Sequence, residues 1–188
     1  IQSESTITKM YAVNESVYYQ EWGRGIFKIE NGKSKLITDD KLIANTIVNN
    51  MFYNNDKLLI LTDKRGFFEL KGDKLKSWNL TQNNVLKSVN VYNSIQLSDG
   101  SFIIGTISDG IIYLNNTGDL ITQINQNNGL GNNTILSLFE DIDKNIWLGL
   151  DNGINCLELN SAFKIYRDNS GNLGSIYRDF IQPLIQNL

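Results

Sequence analysis

The chain has no histidine and one cysteine, Cys156, among its 188 residues. Without an imidazole there is no Ser-His-Asp or Cys-His catalysis and no histidine-containing zinc site, and one thiol cannot build a cysteine-rich metal site. Nor does one thiol form a disulfide framework from which a redox compartment could be read; at strand spacing Cys156 is expected to be a small buried hydrophobe. Long apolar runs are also missing. None approaches the roughly 20 residues needed to span a bilayer, and the opening IQSESTITK lacks the charged start and apolar run of a signal peptide, so any such segment is expected outside this chain. Basic clusters are absent too. With Lys and Arg scattered and a formal net charge of −3, no nucleic-acid partner is expected.

What is present is ordinary for a soluble globular domain: 41% hydrophobic and 20% charged residues, enough to bury a core. The most informative stretch is TILSLFEDIDKNIWLGLDNGINCLEL, residues 134–159. Apolar pairs such as Leu136/Leu138, Ile146/Leu148 and Leu157/Leu159 recur there at period two, separated by Asp, Asn, Lys and Gly. That pattern predicts a three-stranded meander. At its centre, 147–154 reads as a strand end, a turn closing on a glycine able to take positive φ, and a second strand beginning at once.

The same unit recurs. Gly25, Gly66, Gly110 and Gly153 each precede a short apolar strand, at spacings of 41, 44 and 43 residues. Each also has a polar turn upstream: Asn14-Glu15, Asn55-Asp56, Ser98-Asp99-Gly100 and Ile142-Asp143-Lys144. Self-similarity at about 40–45 residues with four strands per period marks β-propeller blades. The fold class is therefore all-β, with blades of four antiparallel strands expected at about 7–37, 47–78, 91–124 and 134–167.

In blade one the strands are placed at 7–13, 16–21, 26–29 and 35–37; in blade two at 48–53, 57–62, 67–70 and 75–78. Blade three takes 91–97, 101–106, 111–114 and 120–124, and blade four adds 163–166 to the central meander. The stretch 170–176 resembles another inter-blade loop, leading into the first strand of a fifth blade at 175–182, which Pro183 stops. That strand could close a small ring against blade one. Because 7–13 already supplies an innermost strand there, the chain is instead expected to be an arc of a larger propeller.

Topology places the inter-blade loops and the loops between second and third strands on one face, where a propeller usually binds. This nominates Trp22, Arg24, Lys64, Arg65, Ser108, Asp109, Asp151 and Asn152, with Asn45, Asn132 and Asn133 from the inter-blade loops. Trp22 is the sharpest candidate. Its indole offers a flat apolar face to a sugar ring, with the donor fork of Arg24 beside it; the alternative is that it packs on the next blade. The loop asparagines read first as turn formers, as do the many other Asn pairs. Trp147, in a strand, is expected to be core between blades, while Trp78 could cap an edge or an interface. The acidic run 141–145 lacks the glycine and the Glu of a calcium loop and reads as a hairpin turn. Asp109 and Asp151 are the one pair of carboxylates that could share a face as in a glycosidase, yet both stand where a turn wants Asp or Asn. No enzyme, no metal site and no cofactor are expected.

The motif L-x-N-N-T-I-L-S-L-x-E-D-x-D-x-x-I-W-L-G-L-x-N-G-I, from Leu130 to Ile154, resembles the two-component regulator propeller repeat, and Gly105-Thr106 with Asp109-Gly110-Ile111 is similar to its Gly-Thr turn. Blades one and two depart from it, with Gln20-Glu21 and Leu61-Thr62 in place of the Gly-Thr pair. The resemblance implies a segment of the extracytoplasmic, periplasmic sensor region of a bacterial hybrid regulator of the Bacteroidetes kind, responding to a glycan or oligosaccharide. Expected partners are the remaining blades or domains of the same protein, with a homodimer as a further possibility. The other reading is a rigid interaction scaffold whose partner is a protein.

Overall fold

Runs of about six residues that alternate or fill with apolar side chains, punctuated by Asn, Asp and Gly, can bury themselves only by stacking as sheets. The structure, a computed structural model, describes residues 5–159 except 73 and 79, with 80–83 described for the backbone alone. Blade one comprises β1 (Ile7–Val13), β2 (Ser16–Glu21), β3 (Gly25–Glu30) and β4 (Lys33–Thr38). Blade two comprises β5 (Val48–Asn54), β6 (Lys57–Thr62), β7 (Gly66–Lys71) and β8 (Lys74–Ser77). Blade three has β9 (Val91–Gln96), β10 (Phe102–Thr106), β11 (Ile111–Leu114) and β12 (Leu120–Ile124). Of blade four, β13 (Ile135–Glu140), β14 (Asn145–Leu150) and β15 (Gly153–Glu158) are described. Each is an antiparallel meander in sequence order, so the expected propeller blades are present. The expected strands at 163–166 and 175–182, and Pro183, lie outside the described residues.

Turn chemistry sets the register. Asn14 and Glu15 take φ of 45° and 59°, and Asn55 and Asp56 take 48° and 60°. Two successive positive φ values make the tight turn whose twist matches the flanking strands, and Asn tolerates that region better than most residues. Innermost strands β1, β5, β9 and β13 then stand side by side, each against the next. A one-residue slip interrupts the innermost ladder of every blade. At the slips a side chain crosses to the following blade: Lys9 Nζ donates to Asn49 O at 2.7 Å, Asn50 Nδ2 to Ser94 O at 2.9 Å, and Asn93 Nδ2 to Leu136 O at 3.2 Å.

Three apolar cores fill the spaces between neighbouring blades. Leu58 and Ile60 of β6 face blade one while Leu59 and Leu61 face blade three, which is why LLIL is a continuous buried run. Ile103 and Ile104 of β10 divide in the same way between the second and third cores. An aromatic group anchors the space between blades two and three. There Phe102 packs against Phe52, Phe67 and Trp78 with centroids 5.3, 5.6 and 5.7 Å away.

Two helices stand where the sequence reading placed loops. α1 (Lys41–Ala44) is capped by Asp40, whose side chain accepts from Leu42 N, and it inserts Ile43 into the first core. α2 (Leu80–Ser88) seats Leu86, fully buried, in the core between blades two and three. Trp78, left open by the sequence, is a packing residue there.

Blade four corrects two expectations. Trp147 and Cys156 are cross-strand partners on the face turned away from blade three, and both are exposed, Trp147 by 43%. Period two says that they share a face with each other, but not that a neighbour covers it. Phe139 (64%) and Ile154 (66%) lie on the same open face. Burial together with the charges of Asp141 and Glu158 raises the Cys156 pKa, so the thiol is held protonated rather than activated.

Candidate ligand-binding face

The loops joining the second and third strands of the blades all leave the same end of their sheets, as do the links between blades. Trp22 sits in the β2–β3 loop with its backbone fixed on both sides: its N–H donates to Thr6 O at 3.0 Å, and the Gly23 N–H donates to Ala44 O at 2.8 Å. Its side chain is 44% exposed. The indole is therefore a presented surface on a rigid loop, and packing on the next blade does not consume it.

Arg24 differs from the expected free fork. Its Nη1 donates to Glu21 Oε2 at 2.7 Å, and its guanidinium lies 5.3 Å above the Phe27 ring. Glu21 is buried, and a buried carboxylate needs such a partner, so neutralising Glu21 commits Arg24. Lys64 and Arg65 are exposed in the β6–β7 loop, where Asp63 N–H donates to Ile47 O at 2.8 Å. Asp109 belongs to its own turn: its carboxylate accepts from Ser108 Oγ and its N–H donates to Thr106 Oγ1, both at 2.8 Å. Asp151 and Asn152 are exposed at the tip of the β14–β15 loop.

The inter-blade asparagines serve backbone geometry. Asn45 Nδ2 donates to Lys41 O at the end of α1, Asn132 Oδ1 accepts from Thr134 N–H, and Asn133 Oδ1 accepts from Gln126 N–H. The Thr of the repeat has a clear role as well. Thr106 Oγ1 donates to Gly110 O at 2.8 Å, and in blade two Thr62 Oγ1 donates to Gly66 O at 2.7 Å, so blade two keeps this element of the motif despite Leu61.

Gln20 is the important residue that the sequence reading passed over. It is fully buried; Nε2 donates to Ile43 O at 2.8 Å and Thr46 O at 2.7 Å, while Oε1 accepts from Thr8 Oγ1 at 2.9 Å and Val48 N–H at 3.3 Å. One side chain thus joins blade one, the link after α1 and blade two beneath the Trp22 loop. A polar residue on the inward phase of a strand was the available signal.

Two recesses lie at the other end of the blades. One recess of about 290 Å³ is lined by the ends of the innermost strands, including Val13, Asn14, Tyr53 and Gln96. A second, of about 220 Å³, opens between blades two and three, bounded by Asn54, Asn55, Lys57 and Leu59 on one side and Asn116 and Thr117 on the other, with Trp78 in its wall. Neither is lined by any of the nominated loop residues.

The acidic run is the expected hairpin turn. Asp141 Oδ1 accepts from Asn145 N–H at 2.8 Å and its Oδ2 from Trp147 Nε1 at 2.8 Å, and Lys144 takes φ of 68°. Among the described residues no group of three His, Cys, Asp or Glu side chains is placed to hold a metal. The Trp147 hydrogen bond, followed by those from Asn145, holds the Asp141 carboxyl below the usual carboxylate range. A lowered folded-state pKa gives a contribution present above the unfolded-state value and lost as pH falls through the folded one. Trp147 emission, taken as the difference from Trp147→Phe, is therefore expected to stay constant down through the ordinary Asp titration near about 3.9 and to change only below it. A midpoint at or above that value would contradict the bond.

Residues 129–152 match the family described as Two component regulator propeller. No curated protein matches the chain. Among solved structures, the extracellular domain of the proposed hybrid two component system BT3049 from B. thetaiotaomicron is similar with a TM-score of 0.65 and 23% identity, over 85% of this chain and 22% of that one. The extracellular domain of a proposed one component system, BT4673, from the same organism gives 0.61 and 24% identity, over 83% and 22%. PorZ, a surface component of the type-IX secretion system of Porphyromonas gingivalis, gives 0.56 and 17%, over 80% and 24%. The chain thus spans less than a quarter of the length of each. At these identities the likeness establishes the propeller architecture. No described helix is long and apolar enough to cross a membrane.

Proposed function

We propose that this chain is a non-catalytic, ligand-sensing propeller segment of a bacterial signal-transduction regulator, working on the extracytoplasmic, periplasmic side of the inner membrane with a glycan or oligosaccharide as ligand. The regulator class is supported by the match at 129–152 and by likeness to two B. thetaiotaomicron extracellular domains. The observation that carries ligand binding is Trp22: an exposed indole on a loop fixed by hydrogen bonds to Thr6 and Ala44. A rigid aromatic gives apolar contact at low entropic cost, and the exposed Lys64, Arg65, Asp151 and Asn152 supply polar groups from other loops at the same end. The ligand would change the arrangement of neighbouring domains by binding one arrangement more tightly than the other.

The test is a thermal-shift screen against oligosaccharides. A ligand at 100 times its Kd adds about 2.7 kcal/mol to the native state, or about 5–10 °C for a protein of this size. One glycan class is expected to give that shift. Trp22→Ala is expected to weaken binding about tenfold, equivalent to about 1.4 kcal/mol, with the melting temperature of the free protein little changed. A folded sample that no glycan shifts would move the assignment to the second reading, a protein-interaction scaffold.

That second reading has its own observation, the open apolar face of blade four with Phe139, Trp147 and Ile154. The occupant that best fits is a further blade of the same protein, because every other blade junction here buries equivalent strand faces against each other. A homodimer through this face is the alternative occupant, separable by measuring the mass of the species in solution.

A further inference from the structure

The recess between blades two and three is concave, has an aromatic wall, and carries carboxamides on its rim. Trp78 is held edge to face by Phe67 and Phe102, at 5.3 and 5.7 Å with interplanar angles of 79° and 73°. Trp78 lines the recess, backed by the fully buried Leu59. Across the opening, Asn54 Nδ2 donates to Asn116 O at 2.9 Å and fixes the width between the blades. That bond leaves Asn54 Oδ1 as an acceptor. Asn55 and Asn116 are exposed turn residues whose carboxamides make no hydrogen bond among the described residues, so each offers donors and an acceptor. The one cation among the described residues of the rim is engaged already, since Lys57 Nζ lies 2.7 Å from Glu69 Oε2.

We infer that this recess is a binding site for the terminal pyranose residue of a neutral glycan, stacked on Trp78 and hydrogen-bonded through its hydroxyls to Asn54, Asn55 and Asn116. The chemistry selects the class. A sugar ring presents a C–H face to an indole and a rim of hydroxyls that both donate and accept, which carboxamides match and a carboxylate or an ammonium alone does not. Neutrality follows from the Lys57–Glu69 pair, which leaves no unpaired charge among the described residues that line the recess. Size restricts it to one residue: about 220 Å³ lies below the roughly 300–1,000 Å³ of sites that hold drug-sized ligands. The site takes its ligand class from the glycan-sensing reading but stands at the opposite end of the blades from Trp22, and it does not require Trp22 to bind anything.

The test uses glucose, galactose, mannose and xylose as probes, followed through the indole N–H signals of the labelled protein by NMR. Trp22→Phe and Trp147→Phe assign the three signals. One of the four sugars is expected to move the Trp78 signal saturably. The pair Asn55→Gly and Asn116→Ala is expected to weaken that sugar at least tenfold; glycine suits the positive φ of Asn55, so the fold is retained. Trp22→Ala should leave the affinity unchanged. Saturable movement of Trp22 alone, abolished by Trp22→Ala, would overturn the recess while keeping the glycan reading. No response at Trp78 to any of the four, in a protein that the oligosaccharide panel does stabilise, would overturn it as well. Silence in both experiments would end both readings.

Discussion

Alanine in place of Gly110 is expected to lower stability by more than about 4 kcal/mol, in the exceptional tail for single substitutions. Gly110 has φ of 73°, and a Cβ built there runs into the carbonyl oxygen of Ile124 and comes within 2.8 Å of Asn125 Cα. Both obstacles are backbone, so no side-chain rotation relieves them. Nor can Gly110 itself retreat, because its N–H donates to Asn133 O at 3.0 Å and its carbonyl accepts from Thr106 N–H at 3.0 Å and Thr106 Oγ1 at 2.8 Å. Gly153→Ala is the control. Its φ is 136° but nothing lies within 4 Å of the added Cβ, so only the conformational penalty of about 1–2 kcal/mol remains. Urea melts of the two variants give the comparison, and a Gly110→Ala protein within about 1 kcal/mol of the parent would refute the account.

The second large effect is expected from Gln20→Leu. At the equivalent position in blade two Leu61 is fully buried in the core, and in blade three Gly105 stands there because a Cβ would meet the Ile135 side chain at 2.7 Å. Blade two thus shows that an apolar side chain can occupy this position. In blade one the carbonyls of Ile43 and Thr46 point at Gln20 instead. Leucine would leave both without that donor and Val48 N–H without its acceptor, at about 1–3 kcal/mol for each buried group lost, or about 3–9 kcal/mol in all. A shift in denaturant midpoint at constant slope would register it. If Gln20→Leu melts like the parent, water or a rearranged α1 satisfies those carbonyls, and Gln20 does not clamp the two blades.

The strands were legible because they depend on local chemistry. Period-two alternation, paired with Asn-Glu, Asn-Asp and Asn-Gly turns, places β1 to β12 within a residue or two of where they lie, and blade four as a three-stranded meander. The helices were not. In α2 the sequence LTQNNVLKS carries two asparagines and a threonine, weak helix formers, and its position is decided by Leu86, with Val89 just after the helix, packing into the core between blades two and three. Alternation also fails to say which face of an outer blade is covered, and hence the exposure of Trp147 and Cys156. At the candidate site, topology and turn chemistry put Trp22 in a loop at that end but left open whether it packs on the next blade; its exposure is a matter of tertiary structure. The commitment of Arg24 to Glu21 was not legible either, because it depends on how deeply a glutamate is buried. The recess at Trp78 is further from sequence still: its walls come from residues about 60 apart, joined by the Asn54–Asn116 bond.

The side chains that cross from each innermost strand to the next have a direction. Lys9, Asn50 and Asn93 all belong to the earlier blade, and what they grip in the later one is a main-chain carbonyl, of Asn49, Ser94 and Leu136. Every residue type has that carbonyl, so the later blade need carry no matching side chain. A duplicated or exchanged blade arriving after any of these three would be fastened at once, and its sequence would be free to drift. Lengthening such a protein by copying one blade requires only that the copy bring along a donor for its own successor.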